Sequence, residues 1–299
     1  MAESQPSPSS QSFPASGELW SRALSQTQYA LQTGALQSIR TQFELIEQGG
    51  IEFLVRTLDS LVRKAAAQKQ VALKPSTKPV NPFLPYDLDL FVADLSDTHV
   101  CLLNKYNVTD HHLLIITRAF EPQEALLTQA DFVALWRCLA EIDGLGFYNS
   151  GKQAGASQPH RHLQLVPLPL ANSRIPIEAA LAEALWQDGI GQSPKLPFRH
   201  ALIRLPSDLP PSEAAKFSQL AYMQLIEHLN LNRETLAPYN LLVTREWLLM
   251  VPRQQEQFQE IPVNSLGFAG TLFVRSPEQL AQLKAIGPLN VLKQVAVAQ

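Results

Sequence analysis

The chain has 299 residues, a formal net charge of −3 at pH 7 and two cysteines, Cys101 and Cys138. This length suits one large domain or two small ones, the charge argues against a basic nucleic-acid-binding surface, and so few cysteines exclude a disulfide scaffold or a zinc ribbon. Because the chain lacks both an apolar run long enough to span a membrane and a secretory signal, we expect a cytoplasmic globular enzyme.

The first 82 residues predict three kinds of structure. Residues 1–17 are Ser, Gln and Pro with hardly any apolar side chain, which predicts a disordered segment. Leucines among polar residues predict a helix over residues 18–48, ended by Gly49 and Gly50. The β-branched and aromatic residues 51–55 predict a strand, and residues 64–82 predict a surface loop.

Short apolar runs in the middle of the chain predict buried strands at 100–103 and 113–116, and a further strand at 161–169. Between them, Thr128 and Asp131 form a capping-box pattern ahead of an apolar helix face. We expect that helix to be stopped by the glycines of residues 144–146.

The second half predicts more of both element types. A helix is indicated by four apolar residues at helical spacing, Phe217, Leu220, Met223 and Ile226. Residues 241–251 predict a hairpin with its turn at 244–246, and Ser276 is placed to cap a helix that ends at Gly287. Because strands follow one another in blocks, an antiparallel α+β sheet is favoured over a doubly wound one.

The candidate chemistry lies in residues 155–164. In a strand, His160, His162 and Gln164 share one face, while Leu163 and Leu165 pack on the other. The small residues 155–158 precede them and allow backbone N–H groups to approach an anion.

The other histidines look less promising. His99, His200 and His228 are interpreted as ordinary core or surface residues. His111 and His112 are adjacent, so they point to opposite faces of a strand and cannot converge on one atom.

Three interpretations of the 155–164 segment are open. It could be a buried histidine network at a strand edge, or a metal site, although zinc needs more ligands than H-x-H supplies. Nucleophilic attack on phosphorus fits best, because neutral imidazole is a competent nucleophile and amide and backbone donors can hold phosphate oxygens.

These residues resemble the H-x-H-x-Q signature of the diadenosine tetraphosphate phosphorylases (ATP adenylyltransferases) of the histidine triad superfamily. Similar blocks occur in the family's order at residues 81–85, 103–106, 239–242, 251–253 and 264–270. The resemblance implies a histidine-triad-like antiparallel sheet with flanking helices and a C-terminal segment that completes the nucleotide site. It divides the chain into a catalytic region, 18–198, and a C-terminal region, 199–299.

The resemblance also implies reversible phosphorolysis of diadenosine tetraphosphate with phosphate to ATP and ADP. His162 would be the nucleophile that carries the adenylyl group, His160 would fix its tautomer, and Gln164 would donate a hydrogen bond to the phosphate. The implied substrate-binding residues are Lys64, Asn104, Lys105, Asn149, Ser150, Gly155, Ala156, Ser157, Gln158, Asn264, Ser265, Leu266, Thr271 and Arg275. Thr271 and Arg275 depart from the Met and Lys that relatives often carry.

The expected partners are dinucleoside polyphosphates, ATP, ADP and phosphate, with neither nucleic acid nor membrane, and the protein is expected to be a monomer or a weak homodimer. Because the chain is acidic and offers few cations to a polyphosphate, Mg²⁺ is expected to arrive with the substrate and no metal to be tightly bound. The alternatives are a hexose-1-phosphate uridylyltransferase, an adenylyl-sulfate phosphorylase, and a non-catalytic regulator that binds dinucleotides.

Overall fold

The structure is a computed structural model, and it describes residues 17–58, 81–231 and 236–299. Most of the predicted disordered N-terminus and of the predicted loop at 64–82, including Lys64, lies outside these ranges. None of the helices in the described ranges is long and apolar enough to cross a membrane.

The described residues form seven α-helices and fifteen β-strands. The helices are α1 (Leu19–Thr33), α2 (Gln129–Glu141), α3 (Glu178–Leu181), α4 (Pro211–His228), α5 (Ser265–Phe268), α6 (Pro277–Ile286) and α7 (Pro288–Val295). The strands are β1 (Thr41–Gln48), β2 (Ile51–Leu58), β3 (Phe91–Asp94), β4 (His99–Leu103), β5 (Leu113–Thr117), β6 (Gly144–Asn149), β7 (His162–Pro167), β8 (Leu185–Gln187), β9 (Ile190–Gln192), β10 (Ala201–Arg204), β11 (Tyr239–Val243), β12 (Trp247–Pro252), β13 (Gln257–Phe258), β14 (Ile261–Pro262) and β15 (Thr271–Val274).

Ten of these strands form one antiparallel sheet in the order β3-β4-β5-β7-β6-β11-β12-β10-β9-β8, which confirms the predicted α+β class. A smaller sheet has the order β1-β2-β15, with β15 parallel to β2. The large sheet takes strands from both sides of the boundary suggested between residues 198 and 199. That division of the chain stays a prediction.

The large sheet separates two hydrophobic cores. Helices α1, α2 and α4 pack on one face, where Leu163 and Leu165 of β7 point. On the opposite face, the small sheet and helices α5 to α7 enclose a second core that includes Val166. Because side chains alternate along a strand, His162 and Gln164 belong to this second face.

Several local predictions are confirmed. Thr128 and Asp131 form the complete capping box at the start of α2, and Ser276 Oγ accepts from Gln279 N at the start of α6. Strands β4 and β5 cover the predicted runs, and β11 and β12 form the predicted hairpin.

The prediction of one helix over residues 18–48 is wrong. Helix α1 ends at Thr33, with Gly34 in the left-handed conformation, and residues 41–48 form strand β1. Gly49 and Gly50, at φ +66° and +81°, form the two-residue turn of the β1-β2 hairpin. Two consecutive positive φ angles are what such a turn requires, so the glycines reverse a strand and do not stop a helix.

One smaller prediction also needs correction. The glycines at 144 and 146 lie inside β6, after α2 has already ended, and a Cβ on Gly146 would lie 2.7 Å from Leu135 of α2. They permit close packing of the helix on the sheet. The helix predicted from residues 217–226 is confirmed as α4, which buries Tyr222, Leu225 and Ile226 and leaves Phe217 and Leu220 exposed.

Candidate active site

Strand β7 lies in the middle of the large sheet, between β5 and β6, and carries the candidate nucleophile at its first residue. His160 precedes it in an isolated bridge with Pro122. The ring of Phe83 lies 5.5 Å from the rings of both His160 and His162. The two histidines therefore share one face of the strand, as predicted.

The ring of His162 is held in one orientation and one tautomer. Its Nδ1 lies 2.8 Å from the backbone oxygen of His160, and because a carbonyl only accepts, Nδ1 must donate. The neutral ring then carries its lone pair on Nε2. Burial lowers the pKa of His162 to about 4, against the opposing effect of that hydrogen bond, so the ring is neutral at pH 7.

The ring of His160 is occupied on both nitrogens. Its Nε2 donates to the backbone oxygen of Thr117 at 2.8 Å, and its Nδ1 lies 2.9 Å from Nδ2 of Asn81. Burial lowers the pKa of His160 as well. The ring therefore serves to fix the backbone, and it is the carbonyl of His160 that selects the tautomer of His162.

A side chain that the sequence analysis missed holds the backbone at this point. The buried Gln123 accepts from His162 N at 2.8 Å and donates to the backbone oxygens of Asn149 and His162. One amide thus links β7 to the end of β6. Nothing in the local sequence around Gln123 distinguishes it from a surface glutamine.

Two adjoining cavities open beside β7. Cavity A, of about 330 Å³, lies between the β7 face and the loop before α5. Cavity B, of about 590 Å³, lies over β4 and β5 and is lined by both His162 and Gln164. Both volumes are in the range of small-molecule sites. The residues that line both cavities are Asn104, Tyr106, Ser157 and Gln164.

The structure brings most of the predicted binding residues to this place. Cavity A is lined by Asn104, Asn149, Gly155, Ser157, Asn264, Leu266 and Thr271. Cavity B is lined by Asn104, Lys105, Ser157 and Gln158. Ala156 lines a third pocket that continues from the same turn.

Glycine is required at position 155. Its φ is +91°, and an added Cβ would lie 2.8 Å from the backbone oxygen of Val263. The turn can therefore approach the loop before α5 only without a side chain here. This close contact forms one wall of cavity A.

Three predicted binding residues lie elsewhere. Ser150 and Ser265 are buried and line neither cavity, and the side chain of Arg275 is exposed at the end of β15. Ser265 instead donates from both N and Oγ to Asn149 Oδ1, which Asn240 Nδ2 also reaches. The Oδ1 atom of Asn149 is thus bonded within the protein, while the residue also lines cavity A.

Arg253 holds the loops around cavity A from behind. Its guanidinium donates to the backbone oxygens of residues 154, 255, 256, 263 and 295 and to Asn240 Oδ1. Burial lowers the pKa of Arg253 to about 9, against the nearby charge of Glu256, so it stays cationic at pH 7. An arginine is suited to this position because its five donors form a fixed planar fork.

The interpretation of His99 as a core residue is confirmed, whereas His112 was missed as a residue of the site. His99 is buried, and its Nε2 lies 3.1 Å from Asp131, which also contacts Arg161 at 3.2 Å. His112 faces the site: its Nε2 lies 2.9 Å from Oε1 of Gln164. Adjacent His111 does point away, toward Thr27, as predicted.

The ten-stranded antiparallel sheet, with its H-x-H-x-Q strand at the centre, defines a histidine-triad-like protein. Residues 9–183 match the family model of the Ap4A phosphorylase N-terminal domain, and residues 194–298 match that of the ATP adenylyltransferase C-terminal domain. The chain therefore belongs to the Ap4A phosphorylase family.

Known proteins agree with this assignment. Diadenosine 5',5'''-P1,P4-tetraphosphate phosphorylase 2 of Saccharomyces cerevisiae is 29% identical over 255 residues, which cover 71% of this chain and 76% of the relative. The structure of yeast Ap4A phosphorylase Apa2 in complex with AMP has a TM-score of 0.79 at 23% identity, covering 96% and 99% of the two chains. The complex of Apa2 with Ap4A has a TM-score of 0.77 at 24% identity, covering 94% and 97%. This similarity confirms the fold.

Proposed function

We propose that this protein catalyses the reversible phosphorolysis of diadenosine tetraphosphate (Ap4A) to ATP and ADP. His162 Nε2 attacks the α-phosphorus, the bond from that phosphorus to its bridging oxygen breaks, and ATP leaves with the oxygen. Phosphate then attacks the adenylyl-histidine, and ADP leaves as the imidazole is restored.

The observation that carries the proposal is the bond from His162 Nδ1 to the carbonyl of His160, because it leaves a bare Nε2 on a ring that lines cavity B. A neutral nucleophile needs no general base, so proton transfer does not limit the first step. Family membership, and the solved complexes of the yeast relative with Ap4A and AMP, support adenine nucleotides as the ligands.

Gln164 supports phosphate over water as the acceptor. An amide can donate a hydrogen bond to a phosphate oxygen but cannot take a proton from water near pH 7. Phosphate is already an anion and needs no deprotonation by the protein before it attacks.

The test follows the adenylyl group. Protein incubated with Ap4A labelled in its adenosine groups is expected to retain label after denaturation in alkaline detergent and to lose it in acid. Folded, labelled protein is expected to release the label as ADP when phosphate is added. The His162→Ala variant should retain none, whereas the matched control His228→Ala, at an exposed histidine outside both cavities, should behave as the wild type.

Other outcomes would contradict the proposal. Rapid release of AMP without phosphate would indicate a hydrolase, and label from UDP-glucose would indicate a uridylyltransferase. Faster phosphorolysis of adenylyl sulfate than of Ap4A would indicate an adenylyl-sulfate phosphorylase. Binding of Ap4A without any covalent label would indicate a non-catalytic regulator.

We also propose that Mg²⁺ arrives with the substrate. Among the described residues that line cavities A and B, Lys105 is the one cation, while Asp87 and Glu256 are carboxylates. A tetraphosphate bridge therefore needs further positive charge, which Mg²⁺ supplies through phosphate oxygens and retained waters. EDTA should lower the rate at least tenfold and added Mg²⁺ should restore it; an unchanged rate in EDTA would refute this.

A further inference from the structure

A directed chain of hydrogen bonds leads from the backbone to Gln164. Tyr106 N lies 3.3 Å from Asn104 Oδ1, Asn104 Nδ2 lies 3.2 Å from His112 Nδ1, and His112 Nε2 lies 2.9 Å from Gln164 Oε1. A backbone N–H can only donate, so Asn104 must turn its oxygen to Tyr106 and its NH₂ group to His112. Each later bond then has one direction.

His112 is built into this chain as a neutral ring. Burial lowers its pKa to about 4, opposed by its bond to Gln164 and reinforced by the nearby ring of His162. Its backbone oxygen accepts from Asn104 N at 2.8 Å, and its ring lies 5.7 Å from that of Phe147. With Nδ1 accepting, the neutral ring must carry its proton on Nε2, which is the atom that faces Gln164.

We propose that His112, oriented by Asn104, is a positioning residue that sets the side-chain amide of Gln164. The inference rests on the proposed function and adds a residue to it. With Oε1 bonded to His112, the NH₂ group of Gln164 is left as a donor for the phosphate beside His162. The opposite orientation would present Oε1 to phosphate oxygens, where two acceptors repel.

A histidine suits this position because one rigid ring accepts at one nitrogen and donates at the other. Asparagine and glutamine carry their donor and acceptor on the same end of a flexible side chain. Between them, glutamine places its NH₂ near the position of imidazole Nε2, and asparagine places it near the position of Nδ1. These two variants therefore form a matched pair.

The first test compares the pair in phosphorolysis of Ap4A. We expect His112→Asn to lower kcat about ten- to a hundredfold and to change KM less than about threefold. The loss in kcat is smaller than for removal of a donor to the transition state, because Gln164 is still present. We expect His112→Gln to stay within about fivefold of the wild type. Equal kcat values for the two variants would overturn the proposal.

The second test is a double-mutant cycle with Gln164→Ala. If His112 acts through Gln164, then His112→Asn should change kcat by less than about twofold once Gln164 is alanine. A loss that multiplies the effect of Gln164→Ala would instead show damage independent of Gln164 and would overturn the proposal.

A spectroscopic measurement on the wild type does not depend on any variant folding. Long-range ¹H–¹⁵N spectra should show His112 protonated on Nε2 and bare on Nδ1, and the reverse tautomer would overturn the proposal. Wild-type protein with the expected tautomer but no phosphorolysis would refute the proposed function, and with it the positioning role. Normal phosphorolysis with equal His112 variants would refute the positioning role alone.

Discussion

The rate at which His162 becomes adenylylated should be almost unchanged when the pH falls from 7.5 to 5.5. The neutral ring is the nucleophile, and burial lowers its pKa to about 4. At pH 5.5 such a ring is about 97% neutral, whereas a ring with the ordinary value of about 6.5 would be about 9% neutral. The expected loss is thus under about 10%, against roughly tenfold for an unperturbed histidine.

The assay is a single-turnover reaction with labelled Ap4A and no phosphate, quenched in alkaline detergent, with the label on the protein as readout. Ap4A suits it because its internal phosphates do not titrate in this range. His112 stays neutral for the same reason as His162, since burial lowers its pKa to about 4 as well.

A measurement of folding is the control, because the lowered pKa values of His162 and His112 also reduce the free energy of unfolding in acid. The unfolded chain binds protons at both histidines below about pH 6.5 while the folded chain does not, so stability falls as the pH drops. At pH 5.5 the cost is about 1.4 kcal/mol for each ring, which a fold of ordinary stability tolerates. Circular dichroism should therefore be unchanged at pH 5.5. A tenfold loss of rate with a midpoint near 6.5 in folded protein would refute the reasoning.

Three further predictions concern residues around the site. Thr271 Oγ1 is buried in the wall of cavity A without a hydrogen-bond partner among the described residues. Thr271→Val should therefore change the free energy of unfolding in urea by less than about 1 kcal/mol but raise KM about two- to tenfold. An unchanged KM would refute a ligand contact. Asp131→Ala should cost about 3–5 kcal/mol in urea unfolding, because it removes the buried carboxylate that Arg161, His99 and the capping residue Thr128 all contact and leaves Arg161 with its exposed partner, Glu121. Glu121→Gln should cost less than about 1 kcal/mol, and equal costs would refute this. Arg253→Lys should raise KM about tenfold with a smaller change in kcat, since a lysine cannot hold the loops around cavity A; an unchanged KM would show that those loops need no such support.

The local pattern of β7 correctly predicted which of its side chains share a face. The alternation of β7 alone places His162 and Gln164 on one face and Leu163 and Leu165 on the other, because a strand has no other periodicity. The capping box at Thr128 is likewise a local signal that the structure bears out.

Local patterns failed where the same residues are compatible with two kinds of secondary structure. Gly49 and Gly50 suit both the end of a helix and a hairpin turn, and the pairing of β1 with β2 decides between them. The spacing of Phe217 and Leu220 correctly predicted helix α4, but both side chains are exposed while Tyr222 and Leu225 are buried. Spacing describes a face of a helix, and only packing selects the face that is buried.

By itself the sequence determined the order of groups along one strand: two histidines, His160 and His162, followed by a glutamine that cannot titrate. The structure added that the carbonyl of His160, and not its ring, fixes the tautomer of His162. The tertiary structure decided which side chains support these groups. Asn81 reaches His160 across 79 residues, His112 reaches Gln164 across 52, and Gln123 reaches His162 across 39. These contacts depend on which strands pair and in which register, and that is settled by burial of the two cores as a whole, since no local pattern specifies a partner strand.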